Sequence, residues 1–155
     1  MHEILFFKIG YGTVVEEYSL ETSNGKPVHR WTSPQTCAKH EGIWCVRHHP
    51  ETDQLAFTIL DSRTNQWHFE VRSRKEFTRL WSIDMPISFG DVEISALSRG
   101  NWLTIDSSGV RLIHLSNQRL KEIVEYLREL RNATPMGNLY FVIRTKNTLE
   151  IHENK

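Results

Sequence analysis

Residues 44–86 read as four short strands in succession, at 44–48, 54–60, 66–72 and 78–84. Each is bounded by turn residues, and three of the four are β-branched or aromatic in character. No other feature restricts the fold of this chain as tightly. Four strands joined by short turns within about 40 residues make one antiparallel sheet of the size of a β-propeller blade. In its third strand Trp67, Phe69 and Val71 alternate with His68, Glu70 and Arg72, one face apolar and the other polar. A single sheet of this kind cannot bury both faces alone, so it needs neighbours like itself.

The rest of the chain supplies them. Residues 4–9, 13–20 and 26–32 read as three strands, joined through Gly10-Tyr11-Gly12 and Ser23-Asn24-Gly25. Asn-Gly takes positive φ at little cost, which makes it the strongest turn signal present. After the polar connection 33–42 and the reference sheet, residues 91–97, 101–105 and 110–115 repeat the plan, turning at Ser107-Ser108-Gly109. Two further strands, 139–144 and 148–152, flank Thr145-Lys146-Asn147. One segment is ambiguous: Leu120, Ile123, Val124, Leu127 and Leu130 fall at helical spacing among good helix formers. In register with the preceding sheet, 121–126 is instead an outer strand leading to the next inner one. The strand reading is taken, because the repeat accounts for more of the chain than one window's propensity does.

Three hairpins align. Thr58-Ile59-Leu60-Asp61-Ser62 runs into Phe69-Glu70-Val71, Thr104-Ile105-Asp106-Ser107 into Arg111-Leu112-Ile113-His114, and Phe141-Val142-Ile143-Arg144 into Leu149-Glu150-Ile151-His152. Taking Val71, Ile113 and Ile151 as equivalent gives a period of about 40 residues. Gly100-Asn101-Trp102-Leu103 likewise matches Gly137-Asn138-Leu139-Tyr140. The expected organisation is one all-β, propeller-like domain over 1–155: a partial blade at 1–32 lacking its inner strand, antiparallel four-stranded blades at 43–86 and 90–128, and a partial blade at 130–155 lacking its outer strand. An antiparallel β-sandwich is the alternative.

Trp44-Cys45-Val46-Arg47-His48-His49-Pro50 resembles the inner strand, and the turn closing it, of the tryptophan–aspartate (WD) repeat propellers. Residues 54–61 are similar to that family's second strand and turn aspartate; Asp106 holds a similar position in the next blade, and Arg144 departs from it in the last. The third strands end Val71-Arg72, His114-Leu115 and His152-Glu153 in place of the family's dipeptide, and the Gly-His pair before the inner strand is missing. The family's hydrogen-bonded Asp–His–Ser/Thr–Trp network is therefore not carried over. The resemblance spans 43–153 and implies a rigid platform that binds other proteins without catalysis of its own.

Charge and composition narrow the partners. Nineteen basic and nineteen acidic residues cancel, which argues against binding nucleic acid through bulk phosphate neutralisation. A neutral chain also lacks the repulsion that keeps copies apart. The N-terminal apolar run is too short for a signal sequence, and no run approaches the roughly 20 residues of a membrane span. Only Cys37 and Cys45 are present, which suits a reducing, cytoplasmic setting.

Chemistry-bearing clusters are few. Cys37-Ala38-Lys39-His40 and Cys45-Val46-Arg47-His48 are two Cys-x-x-His pairs of zinc-ligand types, yet Cys45 and His48 leave opposite faces of a strand and the gap between pairs is short. His48 and His49 beside Glu51 and Asp53 read as an acid–base group or, more simply, a solvated loop tip. Ser62, Ser107 and Ser108 sit in turns with no nucleophile-elbow pattern, and no phosphate-cradling glycine loop occurs. Arg72, Arg74, Lys75 and Arg79 form a basic run that reads as a solvated hairpin tip or a patch for an acidic partner. Trp31, Trp44, Trp67, Trp81 and Trp102 all fall in strands, as core between blades or as exposed anchors.

The expectation is thus a non-catalytic, cytoplasmic protein-interaction platform with unidentified protein partners. No nucleic acid, membrane or cofactor is expected, and no catalytic, cofactor-binding or metal residue is assigned. A small enzyme or carbohydrate-binding domain on a β-sandwich is the alternative. About three and a half blades leave edges and faces exposed, so association of two copies through blade edges is also expected.

Overall fold

The computed structural model describes residues 5–10, 12–19, 21, 24–85, 92–106, 109–114, 119–125, 130–136 and 140–153. Tyr11, Ser23, Ser107, Ser108, residues 126–129, and Gly137, Asn138 and Leu139 lie outside them. Among the described residues the chain is all-β but for one 3-10 turn at Ser98–Gly100, and its strands form four antiparallel sheets in chain order. The first sheet holds β1 (Leu5–Gly10), β2 (Val14–Ser19) and β3 (His29–Trp31). The second holds β4 (Glu41–His49), β5 (Gln54–Asp61), β6 (Gln66–Ser73) and β7 (Arg79–Met85). The third holds β8 (Glu93–Ala96), β9 (Trp102–Asp106), β10 (Gly109–His114) and β11 (Arg119–Glu125). The fourth holds β12 (Leu130–Met136), β13 (Tyr140–Thr145) and β14 (Leu149–Glu153).

The leading strands pack side by side, β1 against β4, β4 against β8 and β8 against β12, as inner strands of propeller blades do. Among the described residues β12 and β1 make no comparable contact, so the sheets form an open row. The position of β1 corrects the expectation for the first blade. Its inner strand is present, and the sheet ends at β3 on the outer side. A three-strand meander is equally consistent with loss of either end; packing decides, because Val15 and Trp31 join Leu55, Phe57 and Phe77 in one cluster and so set β2 and β3 over β5 and the β6–β7 hairpin.

The segment with helical spacing is strand. β11 pairs with β10 from Gly109↔Glu125 to His114↔Arg119, with a bulge between Val110 and Arg111. A partner strand overrides local propensity, because helix formers lose little when a sheet offers every amide a ladder partner. At the Asn-Gly turn both residues have positive φ, Asn24 at 42° and Gly25 at 78°, as the dipeptide foretold.

Both faces of the second sheet are buried. Leu55, Phe57 and Ile59 of β5 meet Val15 and Trp31 of the first sheet, while Ala56 of β5 and Trp67, Phe69 and Val71 of β6 meet Val92, Ile94, Trp102 and Ile113 of the third. Register shows where the repeat alignment slips. Ile113 pairs with Trp102 on the face turned back to the second sheet, whereas Val71 looks forward to the third. The residue of β10 that shares Val71's direction is Leu112, paired with Leu103. A slip of one residue reverses the face, since side chains alternate with period two.

Candidate functional site

The connection 33–40 leaves β3 and crosses the polar face of β6. There the buried Arg72 donates through Nε and Nη2 to Glu70 Oε2 at 3.0 and 2.7 Å, through Nη1 to the Gln35 carbonyl at 2.8 Å and through Nη2 to the Thr36 carbonyl at 2.6 Å. Its guanidinium carbon lies 5.0 and 5.1 Å from the ring centroids of Phe57 and Phe77. Phe77 holds φ at 57°, a left-handed conformation that a bulky side chain rarely adopts, and this sets its ring in a stack on Trp31 with centroids 4.4 Å apart. Glu70 also faces His68 at 3.4 Å and Arg79 at 3.3 Å. Burial by itself would raise the Glu70 pKa. The hydrogen bond from His68 and the charge and hydrogen bonds of Arg72 outweigh it and lower the carboxyl from 4.5 to about 2. A cleft of about 390 Å³ opens beside this cluster, with Pro34, Cys37, Glu41, Glu70, Arg72 and Arg79 in its walls. Its buried ions are committed to one another, and what they do is fasten the connection to the sheet.

The second locus is on β4. Ile43 pairs with Ile59 and Cys45 with Thr58, which leaves Trp44 unpaired in a bulge. Bulges redirect a side chain. Trp44 is 52% exposed, with its ring edge-on to Trp67 at 5.7 Å and 84°. Arg47, also exposed, donates to the Val46 carbonyl at 2.9 Å. Trp31, Trp67 and Trp102 are buried and Trp81 is half-buried, so Trp44 is the exposed one of the five.

The sequence-predicted clusters disperse. Cys37 and Cys45 belong to cores on opposite faces of the second sheet, and burial raises both thiol pKa values. His40 sits 3.6 Å from Asp61 and His48 2.9 Å from Asp53. Among the described residues no three His, Cys, Asp or Glu side chains are placed to hold a metal. His48 and His49 lie on β4 rather than at a loop tip, and His49 is buried: its Nε2 donates to the Leu97 carbonyl of the neighbouring sheet, and its ring meets Trp102 edge-on at 5.0 Å. Glu51 accepts instead from the Arg99 amide at 2.8 Å. Ser62 keeps a turn role, donating to the His40 carbonyl at 2.6 Å.

The basic run is corrected too. Arg72 is buried, Arg74 joins Glu17 of the first sheet to Asp53 of the β4–β5 turn, and Arg79 reaches Glu70. Arg74 thus ties the first sheet to the second and Arg72 fastens the 33–40 connection, while Arg79 pairs within the second sheet and, like Lys75, remains exposed, so the solvated reading holds for those two alone. One signal was available in the sequence: Glu70 and Arg72 stand two apart, hence on one face of a strand.

No family model matches the chain, and no curated protein matches it in sequence. Among solved structures it is similar to the crystal structure of the RRP9 WD40 repeats, with a TM-score of 0.48 and 12% identity, over 90% of this chain and 53% of that one. The chain thus spans about half the length of that structure. Sheet order and the packing of leading strands define the class on their own: an all-β, propeller-type row of antiparallel blades.

Proposed function

We propose that the chain is a non-catalytic platform for binding other proteins, with Trp44 as the anchor of the contact. The observation that carries this reading is the half-exposed Trp44 indole, turned outward by a bulge and braced on the buried Trp67. Contact energy in protein interfaces concentrates on a few Trp, Tyr and Arg side chains held on rigid frames, and Arg47 stands three positions along the same strand. The buried ions of the cleft support the same reading, because they fasten elements of the chain to one another. The proposed setting is the cytoplasm, where both cysteines, free in this fold, stay reduced. No helix among the described residues is long and apolar enough to cross a membrane.

The test is a quantitative pull-down with wild type, Trp44→Phe and Trp44→Ala as parallel baits. Trp44→Ala is expected to lose at least about tenfold of a specific partner, as a central aromatic anchor does, with Trp44→Phe between. Its melting temperature should fall by only a few degrees, since half of the ring already faces water. An unchanged partner set with Trp44→Ala refutes the anchor.

A further inference from the structure

The connection from β2 to β3, residues 20–28, carries Asn24-Gly25, the one Asn-Gly pair in the sequence. Glu21 and every residue from Asn24 to Arg30 are exposed. Among the described residues neither the Asn24 side-chain amide nor the Gly25 N–H has a hydrogen-bond partner. Apart from the two chain neighbours of Gly25, nothing lies within 4 Å of the point where its Cβ would stand. The Gly25 nitrogen is therefore open to water and unshielded by any side chain of its own. It also belongs to the same chain segment as the Asn24 side chain, so bond formation between Gly25 N and Asn24 Cγ closes a five-membered ring. Intramolecular attack of this kind has a large advantage over attack by water, provided the turn can bring the two atoms together.

The other asparagines among the described residues stand in different surroundings. Asn101 precedes Trp102, which is fully buried in β9. Asn132 precedes Ala133, paired with Ile143 in the fourth sheet. Asn65 is exposed and shares the positive φ, at 56°, but it precedes Gln66, which has a side chain beside its amide and pairs with Asp61. After Asn147 the Thr148 N–H is already engaged, donating to Thr145 Oγ1 at 3.0 Å. Only at Asn24 do exposure, a following glycine and an uncommitted amide coincide.

We propose that Asn24 is a site of spontaneous deamidation in the folded protein, converted through a cyclic imide with Gly25 into isoaspartate and aspartate. The Gly25 nitrogen gives its proton to solvent base and attacks Asn24 Cγ. The new C–N bond closes the imide, and the bond from Cγ to Nδ2 breaks as that nitrogen leaves as ammonia. Water then opens the ring. Attack at the side-chain carbonyl leaves aspartate, and attack at the main-chain carbonyl leaves isoaspartate, with the main chain rerouted through Cγ. The net change consumes one water, releases one ammonia and requires no oxidant or cofactor. It adds a negative charge to a chain whose charges otherwise cancel. Isoaspartate also lengthens the main chain by one carbon just before β3. That strand holds to β2 by three residue pairs, and its Trp31 stacks on Phe77 of the second sheet. The modification is independent of any contact through Trp44.

Peptide mass spectrometry of the native protein, incubated for days at mildly alkaline pH, tests it. The peptide holding Asn24 should gain about 1 Da at least about tenfold faster than those holding Asn65, Asn101 and Asn147. Electron-transfer fragmentation should find isoaspartate as well as aspartate at position 24. Incubation in concentrated urea gives the rate without the fold, and the native rate should lie within about tenfold of it, since nothing described holds the turn closed to attack. Asn24→Gln should abolish the conversion, because its longer side chain would have to close a six-membered ring. Gly25→Ala should slow it by about tenfold by placing a Cβ beside the nitrogen. Conversion at Asn24 no faster than at the other three asparagines, aspartate without isoaspartate, or a native rate more than about a hundredfold below that in urea overturns the proposal.

Discussion

Replacing Arg72 by methionine removes the one side chain that holds the 33–40 connection, Glu70 and two aromatic rings together. The substitution keeps the aliphatic stem and deletes the guanidinium. Glu70, 3% exposed, is left with His68 and with Arg79, which is largely in water, and the Gln35 and Thr36 carbonyls lose their donors. Breaking a buried ion pair on one side costs about 3–5 kcal/mol. The depressed Glu70 carboxyl points the same way: lowered from 4.5 to about 2 by His68 and Arg72 together, it contributes about 3 kcal/mol at neutral pH, of which Arg72 supplies a part. Arg72→Met should therefore lose about 3–4 kcal/mol in urea unfolding, or roughly 10 °C in melting temperature for a chain of this size. Glu70→Leu/Arg72→Met should regain most of that, because an apolar pair of similar volume avoids the desolvation of the ions. A loss below about 1 kcal/mol, or a double variant as unstable as Arg72→Met, would refute the account of this cluster.

Four further outcomes are expected. Because the folded pKa of Glu70 is depressed, its contribution is complete above about pH 4.5 and disappears as pH falls towards about 2; Glu70→Gln should flatten acid unfolding in that window, and an unchanged acid limb contradicts this. Cys37 and Cys45, buried and with raised thiol pKa values, should react with a thiol reagent only at the rate of opening, whereas rapid labelling of native protein would show them accessible. Val124→Pro removes a backbone donor from β11 and should destabilise strongly, while the wild-type far-ultraviolet circular dichroism should show strand and no helical signature. Phe57→Ala, at a fully buried position edge-on to Phe77, should cost about 3–5 kcal/mol in chemical unfolding, and a cost near zero would mean that the first and second sheets do not meet there.

Much of the architecture was legible because turns and alternation are local. The four strands of the second sheet follow from the period-two pattern of Trp67, Phe69 and Val71 and the turns around it, and positive φ at Asn24 and Gly25 follows from the dipeptide itself. Long-range packing was not legible. Nothing local says that β1 lies against β4, or that the polar face of β6 is buried, because Glu70 and Arg72 look like a wet face until a loop from 37 residues away supplies carbonyls to Arg72. The repeat alignment failed by one residue at Ile113, since similarity of composition does not fix register and a one-residue slip exchanges faces. Trp44 was visible as a strand tryptophan, but its exposure depends on a bulge, which pairing with β5 creates and sequence alone does not mark.

The central structural claim is that the sheets stack in chain order, the middle ones buried on both faces and the last open on one. Residue-resolved amide hydrogen exchange tests it directly. Paired amides of β5, β6 and β9, packed between sheets, should exchange only through global unfolding, protected by the full stability of about 5–15 kcal/mol, while those of the edge strand β14 should exchange orders of magnitude faster. Exchange in β5 and β6 as rapid as in β14 would contradict the stacked row.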